Sequence, residues 1–264
     1  MSHSDHPLLE GERHVKSTTL LIHSSGLSSR QWGKLMALLP GPCVAPDLCG
    51  YPEGPHWDGV SALERDLEHL VDLLDQIEGP VDVVGHSYGG SLAFRLALER
   101  PKRIRRLVAH EPVLWGVLIS DGPAELVSAV DVFAESGFIG VEDGGGPRWI
   151  EAFVDYWNVP GAWKSMPTHH QAAFLSMGKK VFCEVRDLFH ERSPAELYDA
   201  LDFPTLITTG EDTTPEEAAV CEALVARLPS RALRRFKGGH MVPLSHAAHF
   251  NEVVVAFLTE GSVD

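Results

Sequence analysis

The segment Gly85-His86-Ser87-Tyr88-Gly89 has the residue types and spacing of a nucleophilic serine on a tight turn. It follows a strand-like run, residues 81–84, and precedes a helix-like stretch, residues 90–99. A serine between a strand and a helix is forced toward positive φ, and the two backbones approach so closely that glycine is favoured on either side. The hydroxyl then stands clear of the sheet, and the helix N-terminus directs backbone N–H groups at developing negative charge. We therefore predict that Ser87 is a nucleophile.

A nucleophilic serine needs a base, and His240 is the predicted one. It lies in Gly238-Gly239-His240-Met241, between the last predicted strand and the last predicted helix, where the chain returns to the carboxyl edge of the sheet. His246 and His249 are alternatives, with His246 the nearer competitor. Their spacing of three is typical of a helix, where a histidine is usually a surface or capping group. Placement therefore favours His240.

The elements that would position these residues alternate between strand-like and helix-like from about Thr18 onward. This alternation predicts an α/β fold with a mostly parallel central sheet and helices on both faces. The predicted strands are residues 18–22, 43–48, 81–84, 104–109, 204–209 and 232–236. The predicted helices that accompany them are residues 29–39, 63–77, 90–99, 216–228 and 247–259.

Between residues 113 and 201 the alternation is lost, and several amphipathic segments carry four of the six tryptophans. We interpret this range as a helical cap inserted after the strand that follows the elbow helix. The predicted domains are therefore a core, residues 1–112 and 202–264, and a cap, residues 113–201.

Together, His23, the turn around Ser87, the segment before Gly210 and the Gly239-His240 pair resemble the α/β-hydrolase family. The resemblance covers residues 18–258 apart from the cap. It implies an eight-stranded, mostly parallel sheet, shortened here because little chain precedes Thr18, and a triad in the order serine, acid, histidine. It implies no particular substrate, because the fold hosts esterases, lipases, C–C bond hydrolases, dehalogenases, perhydrolases and several non-enzymes.

The acid of the triad has two candidates. Family members usually place an aspartate three residues after the glycine that ends the strand following the cap, but Thr213 occupies that position here and Asp212 lies one residue short. Some relatives, including certain haloalkane dehalogenases, carry the acid at the end of the strand after the elbow helix, which corresponds to Glu111. Glu111 would be costly to bury without a partner, whereas Asp212 could cap the helix near Pro215. We prefer Glu111 and keep Asp212 as the alternative.

An oxyanion hole is expected from two backbone N–H groups. One belongs to Tyr88, immediately after the nucleophile, and the other to Ser25 in the loop after the first strand. Relatives commonly have His-Gly where this chain has His23-Ser24. Above the hole, we expect Trp115 and Trp157 to line an apolar substrate pocket, although aromatic residues of a cap more often only pack it onto the body.

Composition limits the remaining functions. The 264 residues are 44% hydrophobic, enough for one core with an insertion, and the net charge of -15 argues against nucleic acid or an anionic membrane as partner. No apolar run has the length of a membrane span, and residues 1–6 lack the features of a secretion signal, so we expect a cytoplasmic protein, with a homodimer left open. The four cysteines lack a C-x-x-C pair, which predicts reduced thiols and no metal site.

These observations predict a serine hydrolase that needs no cofactor and cleaves an ester or similar acyl compound, with a small apolar molecule as substrate. A C–C bond hydrolase or a perhydrolase would use the same residues. A dehalogenase or epoxide hydrolase would normally have aspartate in place of Ser87. The alternative from another class is a binding protein that has kept the fold and the pocket without catalysis.

Overall fold

Six parallel strands form one sheet in the computed structural model, which describes residues 17–133, 138–141 and 144–261. The strand order is β2-β1-β3-β4-β5-β6. The strands are β1 (Thr18–Ile22), β2 (Cys43–Val44), β3 (Val81–His86), β4 (Ile104–His110), β5 (Thr205–Gly210) and β6 (Arg231–Phe236). The predicted α/β fold with a mostly parallel sheet is confirmed.

Helices follow most of the strands, and short 3-10 turns lie at Ser29–Trp32, Pro101–Arg103 and Ala195–Ala200. Within the described residues, no helix has both the length and the apolar character to cross a membrane. The α-helices are α1 (Gly33–Met36), α2 (Leu63–Gln76), α3 (Tyr88–Glu99), α4 (Trp115–Asp121), α5 (Ala124–Phe133), α6 (Pro147–Trp157), α7 (Ala162–Ser165), α8 (Thr168–Ser176), α9 (Gly178–His190), α10 (Pro215–Arg227), α11 (Val242–Ser245) and α12 (Ala247–Glu260).

Different groups of helices pack on the two faces of the sheet, because successive side chains of a strand point to opposite faces. Leu20 and Ile22 of β1 pack into a large apolar cluster that includes residues of α2, α3 and α10. Leu21 lies between them in the chain and packs into a second cluster with α12 on the other face. The central strand β3 is buried along its whole length, including the residue that precedes Ser87.

Two predicted elements are shorter than expected. The predicted strand at 43–48 keeps only Cys43–Val44, because Pro46 has no N–H with which to continue the ladder. The predicted helix at 29–39 divides into a 3-10 turn and the four-residue α1. The sheet has six strands in the described residues, instead of the eight that the family resemblance implies.

Helices α4 to α9 lie between β4 and β5 in the chain, which is the range predicted as the cap. We call residues 113–201 the cap segment. Its division from the core as a separate domain stays a prediction. One contact between the two parts is well defined: the Asp187 carboxylate of α9 accepts the Ala62 and Leu63 backbone N–H groups at the start of α2, at 2.7 and 3.2 Å.

The turn between β3 and α3 has the close backbone packing that its glycines predict. Ser87 has φ 57° and ψ -120°. A Cβ added to Gly85 would lie 2.3 Å from the Gly89 carbonyl oxygen, and one added to Gly89 would lie 2.3 Å from the Ile22 carbonyl oxygen. Because backbone atoms form these contacts, no side-chain rotation could relieve a clash. The closeness of β1, β3 and α3 therefore fixes the position of Ser87.

We expect Gly89→Ala to destabilise the protein by about 1–3 kcal/mol, because the added methyl group would press on the backbone of β1. Gly33→Ala is the matched control, since nothing lies within 4 Å of a Cβ there and Gly33 already has helical backbone angles. The control should leave stability unchanged or raise it by up to about 1 kcal/mol. Urea unfolding monitored by fluorescence measures both, and equal midpoints for the two variants would contradict the packing argument.

Candidate active site

Two residues that leave neighbouring strands, Ser87 after β3 and Glu111 after β4, have positive φ, 57° and 43°. They are the non-glycine residues with positive φ in the described part of the chain. The Ser87 N–H donates to the His110 carbonyl at 2.9 Å, and the Glu111 N–H donates to the Thr208 carbonyl at 3.0 Å. Each strained residue is thus held by the next strand of the sheet. Strain of this kind concentrates at functional sites.

Glu111 is fully buried and contacts the predicted base. His240 Nδ1 donates to Glu111 Oε2 at 2.6 Å. The other carboxylate oxygen, Oε1, accepts the Gly210 N–H at 2.7 Å and the Thr209 hydroxyl at 3.0 Å. Burial alone would raise the pKa of Glu111, but the hydrogen bond and charge of His240, with the Gly210 N–H, lower it overall. The carboxylate is therefore ionised at neutral pH and fixes the tautomer of His240.

The alternative acid, Asp212, is not the carboxylate that His240 Nδ1 contacts. It is exposed, and its backbone N–H donates to the Gly238 carbonyl at 2.9 Å. The competing histidines, His246 and His249, are also exposed. Of the predicted acids and bases, the structure brings together Glu111 and His240.

The backbone of His240 is held by two other buried histidines. His86 Nε2 donates to the His240 carbonyl at 2.9 Å, and His110 Nε2 donates to the same oxygen at 3.2 Å. Burial lowers the pKa of His110 to about 4, and burial with the neighbouring His240 and His110 lowers that of His86 well below its usual value. Both rings are therefore neutral at pH 7, with their Nε2 protons directed at the carbonyl.

Trp157 of α6 stacks on the imidazole of His240, with ring centroids 4.1 Å apart and an angle of 29° between the planes. The cap segment therefore supplies one wall of the space around the base. The stacking restricts the orientation of the imidazole from the side of the cap segment.

Ser87 and His240 line a cavity of about 630 Å³. Ser24, Ser25 and Gln31 contribute polar lining, and most of the apolar lining comes from the cap segment. The apolar lining includes Phe153, Val154, Trp157, Met166, Phe174, Met177 and Leu244. Among the described residues no hydrogen bond joins Ser87 Oγ to His240; such bonds often tighten only when substrate is bound.

A second, narrow cavity of about 20 Å³ also reaches Ser25 and Ser87. Trp115 lines it together with Trp157, so both predicted pocket residues border a cavity next to the serine. Trp149 and Trp163, the other two tryptophans of the cap segment, pack against Phe153 and Phe174 respectively. They support residues of the cavity wall without lining the cavity.

The two predicted oxyanion donors flank Ser87. Tyr88 is the first residue of α3, so its N–H has no acceptor within the helix. The Ser25 N–H makes no hydrogen bond within the described residues, while both neighbouring N–H groups are engaged. Ser24 N–H donates to Gln31 Oε1 at 3.1 Å, and Gly26 N–H donates to the Tyr51 hydroxyl at 2.8 Å. This arrangement leaves Ser25 and Tyr88 as free donors beside the serine.

Comparison with known proteins identifies the family of this chain. Residues 19–253 match the alpha/beta hydrolase family. The chain belongs to this family. The assembled residues follow one another along the chain as Ser87, Glu111 and His240, which is the family's order of serine, acid and histidine.

Individual relatives of this hydrolase differ in what they are named for. It is 40% identical over 97 residues to lipase LipV of Mycobacterium tuberculosis, covering 36% of this chain and 37% of that protein. It is 40% identical over 98 residues to a 2-hydroxymuconate semialdehyde hydrolase of Pseudomonas putida, covering 34% of each. The matches thus span little more than a third of these relatives. A meta-cleavage product hydrolase from Pseudomonas fluorescens shares the fold, with TM-score 0.68, 20% identity and coverage of 93% of this chain and 92% of that chain.

Several residues around the site were not predicted from the sequence. The support that His86 and His110 give to the His240 carbonyl, the stacking of Trp157 and the bridging role of Gln31 all depend on residues far apart in the chain. Gln31 joins the two parts of the site, because its Nε2 donates to His86 Nδ1 at 3.0 Å while its Oε1 accepts from Ser24. For His110 the sequence did contain an indication of a special role, because it is a polar residue at the end of an apolar strand.

Within the described residues, no group of His, Cys, Asp or Glu could hold a metal ion.

We expect the free energy of unfolding to fall as the pH is lowered from 7.5 to 5. In this range the unfolded chain protonates His110 near its ordinary pKa, whereas the folded protein, with a pKa of about 4, does not. The free energy of unfolding is therefore highest above the ordinary pKa of histidine and decreases as the pH falls below it. For His110 alone the decrease is about 2 kcal/mol at pH 5.

Urea titrations at several pH values measure this dependence. His110→Gln, which keeps a donor toward the His240 carbonyl, should flatten it by about that amount. His249→Gln, at an exposed histidine, is the control and should not change it. An unchanged dependence in His110→Gln would show that folding does not lower the pKa of His110.

Proposed function

We propose that this hydrolase cleaves esters or similar acyl compounds through an acyl-enzyme on Ser87. The observation that carries the proposal is the buried hydrogen bond of 2.6 Å between His240 and Glu111 beside a serine held at positive φ. A buried ionised acid that fixes the tautomer of a histidine, next to a hydroxyl at a helix N-terminus, is the arrangement that activates a serine.

In the proposed first half-reaction, Ser87 Oγ attacks the carbonyl carbon of the substrate as His240 Nε2 takes the hydroxyl proton. The carbonyl π electrons move to oxygen, and the oxyanion accepts hydrogen bonds from the Ser25 and Tyr88 backbone N–H groups. The tetrahedral intermediate collapses with cleavage of the C–O bond, and His240 donates its proton to the leaving alcohol. Glu111 stabilises the imidazolium in between without taking the proton.

In the second half-reaction, water enters the place of the alcohol. His240 removes one proton from it as its oxygen attacks the acyl carbon. The second tetrahedral intermediate then releases Ser87 Oγ, which recovers the proton from His240, and the acid leaves.

An apolar acyl substrate of small to medium size suits the cavity. A volume of about 630 Å³ lies within the range of small-molecule sites, and most of the wall contributed by the cap segment is apolar. The narrow second cavity beside Ser87 leaves room for only a small group on one side of the scissile bond. We therefore propose a substrate with one small and one larger substituent on the reacting carbonyl.

C–C bond hydrolysis is the second candidate, and the similarity to a 2-hydroxymuconate semialdehyde hydrolase favours it. The same serine, histidine and acid would serve a ketone substrate, with carbon as the leaving group. Product analysis distinguishes the two: an ester gives an acid and an alcohol, whereas cleavage of a C–C bond gives an acid and a second carbon fragment. A perhydrolase would also use these residues, and it would require peroxide in place of water.

We expect a fluorophosphonate probe to add once to the wild-type protein and not at all to Ser87→Ala, because the probe reacts only with a serine that has a working base and oxyanion hole. Intact-mass measurement detects the adduct. Wild-type protein that stays unlabelled, while also failing to hydrolyse 4-nitrophenyl acetate and butyrate, would favour a binding protein that keeps the fold without catalysis.

Glu111→Gln should lower kcat for 4-nitrophenyl butyrate by about 10⁴-fold, because an amide cannot hold His240 in the required tautomer or balance its charge. Asp212→Asn is the control and should stay near the wild-type rate, since Asp212 is exposed and His240 Nδ1 is bonded to Glu111 instead. The opposite ranking would make Asp212 the acid and refute the assignment of Glu111.

A further inference from the structure

A buried ionic cluster lies next to the candidate site and joins the cap segment to the core. Lys180 and Glu184 belong to α9, Asp66 belongs to α2, and all three side chains are at most 3% exposed. The Lys180 ammonium donates to Asp66 Oδ2 and, at 2.9 Å, to Glu184 Oε1. The mechanism proposed above uses none of these groups.

Burying three charges is expensive unless each is paired and hydrogen-bonded, so such a cluster is weak evidence for a purely stabilising role. Burial alone would lower the pKa of Lys180, but the Glu184 and Asp66 carboxylates raise it overall. Lys180 therefore stays cationic and holds the two carboxylates together. Glu184 Oε2 and Asp66 Oδ2 each also accept a tyrosine hydroxyl.

The Glu184 carboxylate orients Tyr51. The Tyr51 hydroxyl donates to Glu184 Oε2 at 3.1 Å and accepts the Gly26 N–H at 2.8 Å. Burial and the charge of Glu184 raise the pKa of Tyr51 well above its usual value, so the phenol keeps its proton and this direction. Gly26 directly follows Ser25, and the bond therefore fixes the peptide plane next to the first oxyanion donor.

The Asp66 carboxylate orients Tyr88. The Tyr88 hydroxyl donates to Asp66 Oδ2 at 2.8 Å, the same oxygen that accepts from Lys180. Tyr88 carries the second oxyanion donor on its own backbone. Burial and the charge of Asp66 raise the pKa of Tyr88 well above its usual value, so this phenol too is a donor. Both arms of the oxyanion hole thus connect to one ammonium group, that of Lys180.

We propose that Lys180, Glu184, Tyr51 and Asp66 are positioning residues that set the two oxyanion donors, so that docking of α9 on the core completes the active site. This inference rests on the proposed function, because it assigns the Ser25 and Tyr88 N–H groups to an oxyanion. The cluster acts through the backbone and touches no substrate. Its contribution is therefore made in the transition state, where the oxyanion exists, and not in the binding of substrate.

Tyr51→Phe is the sharpest variant, since it removes one oxygen and leaves Gly26 N–H without its acceptor. We expect kcat for 4-nitrophenyl butyrate to fall about tenfold or more with KM changed less than twofold, below the 10²–10³-fold cost of losing a whole donor. Tyr198→Phe is the matched control, because the buried Tyr198 hydroxyl makes no hydrogen bond within the described residues. Its kcat should equal that of the wild type.

Lys180→Met tests the cation that joins the two arms, with the exposed neighbour Lys179→Met as control. It should lower kcat by more than Tyr51→Phe, because both arms lose their anchor. It should also weaken binding of a trifluoromethyl ketone, whose adduct carries an oxyanion, more than binding of butyrate. If the cluster had a purely structural role, Lys180→Met and Tyr51→Phe would be less stable than the wild type. Their kcat per folded molecule, and the ratio of trifluoromethyl ketone affinity to butyrate affinity, would then be unchanged. That result would overturn the proposal.

Amide hydrogen exchange separates this inference from the proposed function. In Tyr51→Phe, exchange in residues 24–27 should speed up at least tenfold relative to the wild type, and in Tyr198→Phe it should not, whether or not the protein hydrolyses esters. If the wild type shows no turnover and no Ser87 adduct, the proposed function fails. The exchange measurement by itself then tests whether Tyr51 holds the loop of residues 24–27. Unchanged exchange together with unchanged kcat in Tyr51→Phe would refute the network while leaving the reaction intact.

Discussion

The site depends on two backbone turns that leave neighbouring strands in a conformation that L-residues rarely adopt. Ser87 and Glu111 both have positive φ, and the register that pairs His86 with His110 places them side by side. Each turn is held by a backbone hydrogen bond to the next strand. The hydrogen bonds of the sheet therefore offset the conformational cost of positive φ at these two residues. A serine and an acid that are 24 positions apart in sequence are thereby fixed at one sheet edge.

Around these turns, the buried side chains of His86, His110 and Glu111 are each hydrogen-bonded. The His240 carbonyl receives two N–H donors from neutral histidines, and its ring donates to an ionised Glu111. Fully satisfied networks of this kind give a single arrangement, because every alternative leaves a buried polar group without a partner. The same pairing requires His86 and His110 to stay neutral, which ties the order of the site to pH.

The cap segment contributes to the site chemically as well as sterically. Trp157 stacks on the His240 ring, and most of the apolar cavity lining comes from the same segment, which is where the proposed function would select its substrate. The groups proposed as catalytic, in contrast, all come from strand ends and loops of the core. This division agrees with a family in which one fold serves relatives named for different substrates.

The sequence alone determined the elements and the local chemistry: the alternation that gives the parallel sheet, the glycines that permit the turn at Ser87, and His240 on the last loop. The burial cost of Glu111 favoured it over Asp212, but only the tertiary structure placed its carboxylate on His240, because their hydrogen bond joins residues 129 positions apart. The contacts of Glu184 with Tyr51 and of Trp157 with His240 could likewise not be predicted from the spacing of residues in the sequence. Periodicity records which face of an element is buried, whereas these contacts depend on how separate elements pack against each other.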